Sequence, residues 1–390
     1  MSGVNQIETY KLQKATRLVY GGSEYFDLVQ DMINRAEKTL HLHVYIYEDD
    51  ETGTQVAECL MNAARRGVQV YLLVDGYASK ELSGRFIENL REAGVHFQQF
   101  EPLFRSKQFY FGRRLHHKIL VADSSEALVG GINIANKYNS INGTIPWLDM
   151  AMYVQGEAAY ELERICCETW NSTTGVGKKI KACDAPAGNG QHTIAVRIRR
   201  NDWVKGKREI WKSYANLIAN TKEELVIMCS YFLPGLTFRK LMTKAVKRGV
   251  QITVIVAGKS DVPIAKNAER YLYRWLLRNK IKIYEYQKSI LHAKVAISDR
   301  RLMTIGSYNM NNISAYASIE LNLDIHNKPF AEGVYEKVSQ LIAEDCEQVT
   351  EEHYQTYYGA RKRLWQYISY QVIRAILYLS TFYFKREKLS

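Results

Sequence analysis

Hydrophobic positions along the chain fall into short runs rich in β-branched residues, and each run follows a segment with helical periodicity. Three such pairs of helix end and strand occur in the first half, at residues 36–47, 64–75 and 90–100. Three more occur in the same order in the second half, at residues 220–232, 246–258 and 276–286. Apolar runs that alternate with helical segments of about a dozen residues indicate βα units. The pattern predicts an α/β protein built from two related domains, each a mixed, mostly parallel sheet flanked by helices.

The stretch between the two halves differs in composition. Residues 171–193 collect Gly, Thr, Lys and Pro and show no apolar periodicity, which is typical of a linker. We therefore predict a first domain, a linker, a second domain and a tail, at residues 1–172, 173–193, 194–355 and 356–390.

Composition places the chain among ordinary globular proteins and leaves its charge as the unusual property. The 390 residues are 46% hydrophobic and 24% charged, which argues against disorder. The 6 cysteines contain no CxxC pair and favour neither a zinc ribbon nor a disulfide framework. Residues 1–20 lack the apolar core of a signal peptide, so we expect the chain to be in the cytosol when its synthesis ends. The formal net charge of +12 predicts an anionic partner, either nucleic acid or a membrane surface.

A second repeat carries the residue types suited to chemistry. Its first copy consists of His116, Lys118, Asp123, the pair Gly130-Gly131 and Asn133. Its second copy consists of His292, Lys294, Asp299, the pair Gly306-Ser307 and Asn309, at one constant spacing from the first. A single H-x-K-x4-D match is a weak signal, but two copies in register have no packing explanation. We interpret these residues as one duplicated catalytic set.

The residue types in this motif suit a phosphodiester. His and Lys two positions apart on a strand point to the same face. Two copies related by a pseudo-twofold axis would bring two imidazoles and two ammonium groups to a single interdomain active site. The lysines would neutralise non-bridging oxygens, while one histidine attacks phosphorus and the other acts as general acid and base. Asn133 and Asn309 could donate further hydrogen bonds to the phosphate.

Each imidazole also needs an acceptor for its second ring nitrogen. Asp149 and Glu320 are the candidates, since they lie at equivalent positions on strand-like runs downstream of each motif copy; alternatively, they are ordinary surface carboxylates. Tyr45 and Tyr231 end the first repeated strand of each half and line either the cleft or the core. No cluster of His, Cys, Asp or Glu has metal-ligand spacing, so we expect neither a metal nor a cofactor.

The duplicated H-x-K-x4-D motif resembles that of the phospholipase D superfamily, over most of the chain from residue 18 to 325. Within it, the stretches GGSEYFDLV, GGINIANKY and LHAKVAISD are most similar to bacterial cardiolipin synthases. The resemblance implies a phosphohistidine intermediate, with His116 as nucleophile and His292 as acid. It also implies that Asp149 and Glu320 hold their respective imidazoles, whereas the motif aspartates are mainly structural.

Two stretches depart from the family pattern near the implied substrate pocket. Residues 311–314 read NNIS where many cardiolipin synthases have Asp-x-Arg-Ser, and Ser318 replaces an Asn. The sequence therefore leaves the choice of head group and acceptor open.

The C-terminal tail contains a hydrophobic segment at residues 364–384, with one charged residue, Arg374, and basic residues on both flanks. Arg374 would cost about 2.5–3.5 kcal/mol at the centre of a bilayer. A membrane-docked interfacial helix is therefore favoured over a helix packed on the protein or a true span. The flanking basic residues suit an anionic leaflet.

These features together predict a phosphatidyltransferase that makes cardiolipin from phosphatidylglycerol. We expect anionic phospholipid substrates, no nucleic acid, and a location at the cytoplasmic face of the bacterial cell membrane, peripheral or tail-anchored. Alternatives with the same site are a hydrolytic phospholipase D and a metal-independent phosphodiesterase or nuclease, whose binding would depend steeply on salt. A non-catalytic scaffold that binds anionic lipid is an alternative of a different class.

Overall fold

The computed structural model describes residues 10–101, 113–173, 179–183, 194–311, 314–315, 318–357 and 359–386. Most of the predicted linker lies outside the described residues. So do Asn312 and Ile313, which belong to the NNIS stretch that differs from the family pattern.

The first half alternates strands and helices and then continues as a run of strands. Its elements are β1 (Lys11–Tyr20), α1 (Ser23–Arg35), β2 (Thr39–Val44), α2 (Glu51–Arg65), β3 (Gln69–Asp75), α3 (Gly84–Glu92), β4 (His96–Phe100), β5 (Arg114–Leu115), β6 (Lys118–Ala122), β7 (Glu126–Gly130), β8 (Met150–Gly156) and α4 (Glu157–Thr173).

The second half repeats this order and adds helices at its end. Its elements are β9 (Ile194–Asp202), β10 (Lys207–Arg208), α5 (Glu209–Asn220), β11 (Glu224–Cys229), α6 (Leu236–Lys247), β12 (Gln251–Lys259), α7 (Pro263–Tyr271), α8 (Tyr273–Arg278), β13 (Lys282–Ile290), β14 (Lys294–Ser298), β15 (Leu302–Gly306), β16 (Ser318–His326), α9 (Lys328–Asp345), β17 (Cys346–Gln348), α10 (Glu351–Tyr357) and α11 (Ala360–Arg386).

The strands of both halves join in one continuous ladder whose order is the same in each half. From its outer edge inward, the first half runs β4-β3-β2-β6-β7-β8-β1. The second half runs β13-β12-β11-β14-β15-β16-β9, with the short strand β17 added antiparallel outside β13, and β1 pairs with β9 at the centre. The predicted α/β class and the duplication are thus confirmed.

Parallel pairing within this ladder is confined to β2-β3-β4 and β11-β12-β13, the strands of the predicted βα units. The other ladders along this order are antiparallel, so the sheet is mixed but less parallel than the sequence predicts. Two of the antiparallel ladders, β6-β7 and β14-β15, are closed by tight turns, in which Asp123 and Ser124 in one half and Asp299 and Arg300 in the other take positive φ values. Such turns reverse the chain into hairpins, which short apolar runs alone do not reveal.

The two halves share a hydrophobic core where their central strands meet. Ile119, Val129 and Met152 of the first half pack in the same buried cluster as Val295 and Leu323 of the second. Because Ile119 belongs to the motif strand β6 and Val295 to the motif strand β14, packing between the halves fixes the relative position of the two motif copies.

The C-terminal helix α11 packs against α7 in the second half. Tyr370 and Ile373 of α11 contact the cluster formed by Leu233, Ala268 and Leu272, and the ring of Tyr370 lies 4.7 Å from that of Tyr271. Within the described part of the chain, no helix has both the length and the hydropathy needed to cross a membrane.

Candidate active site

Each motif histidine is held in the cleft by backbone hydrogen bonds to the other half of the molecule. The amides of His116 and His117 both donate to the carbonyl of Ile319, at 3.0 Å. In the equivalent arrangement, the amides of His292 and Ala293 donate to the carbonyl of Leu148, at 2.7 and 3.0 Å. The segment that precedes each Lys therefore docks beside the carboxylate-bearing strand of the opposite half.

The imidazole–carboxylate pairs cross between the halves as a consequence. Nδ1 of His116 lies 2.8 Å from Oε2 of Glu320, and Nδ1 of His292 lies 2.5 Å from Oδ2 of Asp149. Both carboxylates are completely buried. A proton on Nδ1 that is donated to the carboxylate leaves Nε2 of each ring available for chemistry. Each carboxylate thus serves the histidine of the other repeat, so the expectation that each holds the imidazole of its own repeat is wrong.

The two copies of the catalytic set differ at one position, Ser307 against Gly131, and this difference matches that between the carboxylates Glu320 and Asp149. The hydroxyl of Ser307 donates to Oε2 of Glu320 at 2.5 Å, which gives this oxygen a second donor. At the corresponding place in the first copy, a Cβ on Gly131 would come within 2.6 Å of Oδ2 of Asp149. The shorter Asp side chain sits closer to the backbone, so only glycine fits there. Sequence reasoning did not assign Ser307 a role, although the Gly-Gly and Gly-Ser pairs signalled the difference.

The two motif lysines are buried beside the imidazoles. The ammonium group of Lys118 donates to the carbonyl of His116 at 2.5 Å and lies 5.1 Å from the centre of the Tyr45 ring. The ammonium group of Lys294 donates to the carbonyl of His292 and lies 3.0 Å from its Nδ1. Each ammonium group is therefore held against the backbone of the histidine two residues before it.

The protein groups around the cleft disfavour positive charge on its side chains. Burial lowers the pKa of His292 to about 4, with Lys294 adding to the effect and Asp149 opposing it. Burial also lowers the pKa of His116, against the field of Glu320, and lowers that of Lys118 to about 7. With protein groups alone around them, both imidazoles are consequently neutral at pH 7. A bound phosphodiester would supply the missing negative charge and raise all these pKa values.

The motif aspartates lie in turns outside the cleft, although we predicted them within the catalytic set. The carboxylate of Asp123 accepts hydrogen bonds from the backbone amides of residues 37, 38 and 39, at 2.9, 2.7 and 2.8 Å. Asp299 accepts from the amides of residues 222, 223 and 224 in the same way. These contacts tie each motif hairpin to the start of β2 or β11.

The two motif asparagines line the cleft but are partly engaged by the protein. Asn133 accepts from the amide of Ile46 at 3.0 Å and donates to the hydroxyl of Tyr138 at 2.9 Å. Asn309 accepts from the hydroxyl of Ser230 at 2.8 Å. Their amide groups are therefore fixed in orientation, and their contact with phosphate remains a prediction.

A cavity of about 410 Å³ opens over the two imidazoles. Besides His116 and His292, its described lining residues lie on loops and strand ends of both halves, on α7 and on α11: Tyr45, Ile46, Arg114, Asn133, Lys137, Tyr138, Trp147, Tyr231, Leu233, Asp261, Val262, Ala265, Asn309, Asn311, Ser314, Ser318 and Ile373. Tyr45 and Tyr231 thus face the cleft rather than the core.

Sequence reasoning missed several lining residues. The ring of Trp147 lies 5.9 Å and that of Tyr138 lies 5.3 Å from the ring of His292. Their closeness in sequence to Asp149 and Asn133 was the available signal. Arg114, Asp261 and Ile373 carried no motif that would have revealed them.

The sequence and the fold that carry the paired histidines and lysines match those of known proteins. A family model described as "Cardiolipin synthase, PLD-like domain" matches residues 29–164 and 214–342, which include both motif copies. The chain belongs to the phospholipase D superfamily. It is an enzyme of phospholipase D type, a phosphatidyltransferase similar to cardiolipin synthases.

Individual relatives agree with this assignment. "Cardiolipin synthase B" of Escherichia coli K12 is 31% identical over 339 residues, which cover 86% of this chain and 82% of the relative. "Cardiolipin synthase 2" of Bacillus anthracis is 30% identical over 352 residues, covering 90% of this chain and 68% of the relative. The crystal structure of phosphatidylserine synthase from Haemophilus influenzae superposes with a TM-score of 0.73 over 96% of this chain and 97% of that chain, at 14% identity. That similarity shows a shared phospholipase D fold.

Proposed function

We propose that the enzyme transfers a phosphatidyl group from one phosphatidylglycerol molecule to the glycerol head group of a second, which yields cardiolipin and free glycerol. The observation that carries this proposal is the pair of crossed imidazole–carboxylate contacts, 2.8 Å at His116 and 2.5 Å at His292, in a single cavity. The relatives named cardiolipin synthase support the choice of substrate.

In the first half-reaction, the neutral Nε2 of His116 attacks the phosphorus of the donor lipid. The bond between phosphorus and the oxygen of the head-group glycerol breaks, and a protonated His292 gives its proton to the departing alkoxide. His292 takes up that proton when the anionic substrate binds, because the phosphate offsets the charge of Lys294 and restores a higher pKa. The product is a phosphatidyl group on His116 and a molecule of glycerol.

In the second half-reaction, a head-group hydroxyl of another phosphatidylglycerol attacks the phosphorus, and His292 removes its proton. The bond between phosphorus and Nε2 of His116 breaks, and the ring returns to its neutral state. The buried ammonium groups of Lys118 and Lys294 stabilise the negative charge that develops on the non-bridging oxygens in both steps. No co-reactant beyond the two lipids is required.

Incubation of the purified enzyme with vesicles of phosphatidylglycerol tests this proposal. Lipid mass spectrometry is expected to show cardiolipin, together with an equal amount of glycerol, and neither product with His116→Ala or His292→Ala. The control His326→Ala removes an exposed histidine from the strand that carries Glu320 and should retain activity. Glycerol accompanied by phosphatidic acid would identify a hydrolytic phospholipase D instead. Plasmid cleavage in EDTA that is lost in His116→Ala would favour the nuclease alternative.

We also propose that α11 docks the enzyme on an anionic membrane. Its exposed face carries an apolar stripe spaced by four residues: Leu364, Ile368, Val372 and Ile376. On its buried face, Gln366 and Ser369 are only 2% and 1% exposed. Packing of α11 on the protein, which also buries part of Tyr370 and Ile373, therefore leaves the apolar stripe uncovered. A bilayer would cover the apolar stripe, and the exposed basic residues 361–363 would lie near the lipid phosphates.

The position of α11 connects this docking to the site. Ile373 lines the cavity while the exposed stripe lies on the same helix, so a membrane in contact with α11 would lie beside the cavity opening. Val262 also lines the cavity and is exposed, which extends the apolar surface to the loop before α7. Lipid substrates would then reach the cleft over a short distance.

Vesicle flotation provides the test of docking. The double variant Ile368→Glu/Ile376→Glu is expected to lower binding to phosphatidylglycerol vesicles at least tenfold, because burial of each isoleucine contributes roughly 2 kcal/mol. The matched control Val204→Glu adds a charge at another exposed apolar residue and should bind normally. Unchanged binding of the double variant would contradict the proposal.

A further inference from the structure

The cavity contains one acidic residue among its described lining residues, Asp261. Asp261 follows β12 and Tyr231 follows β11, two strands that pair in parallel, so both residues lie at the same edge of the sheet. The hydroxyl of Tyr231 donates to Oδ1 of Asp261 at 2.6 Å. Burial lowers the pKa of Lys294, and Asp261 is among the carboxylates that oppose this shift. Asp261 thus makes a small contribution to the electrostatics around Lys294, after those of Asp149 and Glu320.

The other carboxylates near the cleft have partners that account for them. Asp149 and Glu320 accept from the two imidazoles, and Asp75 accepts from the amide of Leu115 and pairs with Arg114. Asp261 is different, since its side chain is exposed and, within the described part of the chain, its Oδ2 has no hydrogen-bond partner from the protein. A free carboxylate oxygen in a site for anionic lipids repels the substrate phosphate. Such a group is useful there if it accepts hydrogen bonds from another part of a substrate.

The neighbouring charges indicate which kind of group that is. Arg114 and Lys137 line the same cavity, each paired with a carboxylate, at 3.3 Å to Asp75 and 2.6 Å to Glu48. Because these pairs largely offset the charges of Arg114 and Lys137, the buried motif lysines are the cations that disfavour a head group carrying an ammonium. The head group should therefore donate hydrogen bonds to Oδ2 of Asp261 and carry no positive charge. A neutral polyol does both, because its hydroxyls are donors and it has no charge.

We propose that Asp261, held by Tyr231, determines acceptor specificity by binding the hydroxyls of a neutral polyol head group. This inference rests on the proposed transfer reaction and names the residue that selects its acceptor. The acceptor hydroxyl that reacts faces His292, and a further hydroxyl of the same head group donates to Asp261. Both residues belong to the second half and line one cavity. The carboxylate thus positions the acceptor and takes no part in proton transfer.

The test is an internal competition between acceptors, which is independent of the overall rate. Phosphatidyl-p-nitrophenol serves as donor, and equal concentrations of glycerol, 1-propanol and ethanolamine compete for the phosphatidyl group. Mass spectrometry measures the three product lipids. The wild-type enzyme is expected to favour glycerol over propanol, and Asp261→Asn and Asp261→Ala are expected to reduce that preference at least tenfold. Tyr231→Phe should reduce it less, because the carboxylate remains.

The matched control is Glu344→Gln, which removes an exposed acidic charge from α9 in the same half and should leave the preference unchanged. An unchanged preference in both Asp261 variants would overturn the proposal, as would a wild-type preference for ethanolamine. The parallel reaction with phosphatidylglycerol alone separates this inference from the proposed function. A wild-type enzyme that selects glycerol through Asp261 but forms no cardiolipin would support the polyol site and contradict the proposed function.

Discussion

Replacement of Asp123 by alanine tests whether a motif aspartate acts through stability or through chemistry. Its carboxylate accepts three backbone hydrogen bonds at the start of β2, at 2.7 to 2.9 Å. Its backbone has a φ of +51°, a conformation that Asp and Asn tolerate better than other residues with a side chain. Alanine would lose all three bonds and would also be strained by the positive φ.

The magnitude follows from these contacts. Each bond to this partly exposed carboxylate contributes about 1 kcal/mol, and alanine in the left-handed region costs about another 1 kcal/mol. We therefore expect Asp123→Ala to lower the free energy of unfolding by about 4 kcal/mol. Asp123→Asn keeps Oδ1, which serves the amides of residues 38 and 39, and should cost only about 1 kcal/mol. Asp299→Ala should resemble Asp123→Ala, since its φ is +48° and its contacts are equivalent.

Denaturant titration followed by circular dichroism measures these differences, and phosphatidyl transfer is assayed at a temperature where each variant is folded. The expected result is a graded loss of stability with transfer activity retained in the folded fraction. A folded Asp123→Ala enzyme with an unchanged unfolding midpoint and no transfer activity would refute the reasoning. In that case the carboxylate would have to act in the reaction itself.

Three further predictions concern the cleft. Glu320→Gln should lower the rate of transfer about 10³- to 10⁴-fold in a cardiolipin assay, because the amide no longer fixes the Nδ1-protonated tautomer of His116; a loss below tenfold would contradict this role. Ser307→Ala removes the 2.5 Å bond to Glu320 and should slow transfer by about tenfold or less, with no effect on vesicle binding. The unfolded chain protonates His292 near pH 6.5, whereas the folded chain does so near 4, so the melting temperature of the unliganded enzyme should fall as pH decreases across this window. Differential scanning fluorimetry should show a shallower decrease for His292→Asn, and an equal slope would refute the assignment.

The sequence was sufficient for those features that depend on local patterns. The βα units at β2-β3-β4 and β11-β12-β13 follow from apolar runs, and the motif spacing identified His116, Lys118, His292 and Lys294 because each lies on or beside a strand that enters the cleft. It did not reveal the hairpins that follow, since a turn with positive φ at Asp123 leaves little trace in hydropathy.

The remaining features depend on contacts between distant parts of the chain. Asp261 carries no motif and reaches the cavity only because β11 and β12 are neighbours. The polarity of α11 depends on which of its faces meets α7, and a scattered pattern of polar residues does not predict that face. In the same way, two equivalent carboxylates in a symmetric sequence do not indicate which histidine each one meets.

The crossed pairing has a consequence that separates it from pairing within each repeat. A double-mutant cycle on His116 and Glu320 should give a coupling energy of about 1–2 kcal/mol in the free energy of unfolding, since their side chains are in direct contact. The cycle on His116 and Asp149 should give a coupling close to zero, although these two residues belong to the same repeat. His116→Ala, Glu320→Gln, Asp149→Asn and the two double variants suffice for this comparison.

The opposite pattern, coupling of His116 to Asp149 but not to Glu320, would mean that each repeat supplies its own carboxylate. The two results also differ in what they imply for the enzyme. With pairing inside each repeat, either half could hold its histidine in the reactive orientation alone. With crossed pairing, the orientation of both rings depends on contact between the halves, so any substitution in the shared core that shifts one half against the other should impair both half-reactions together.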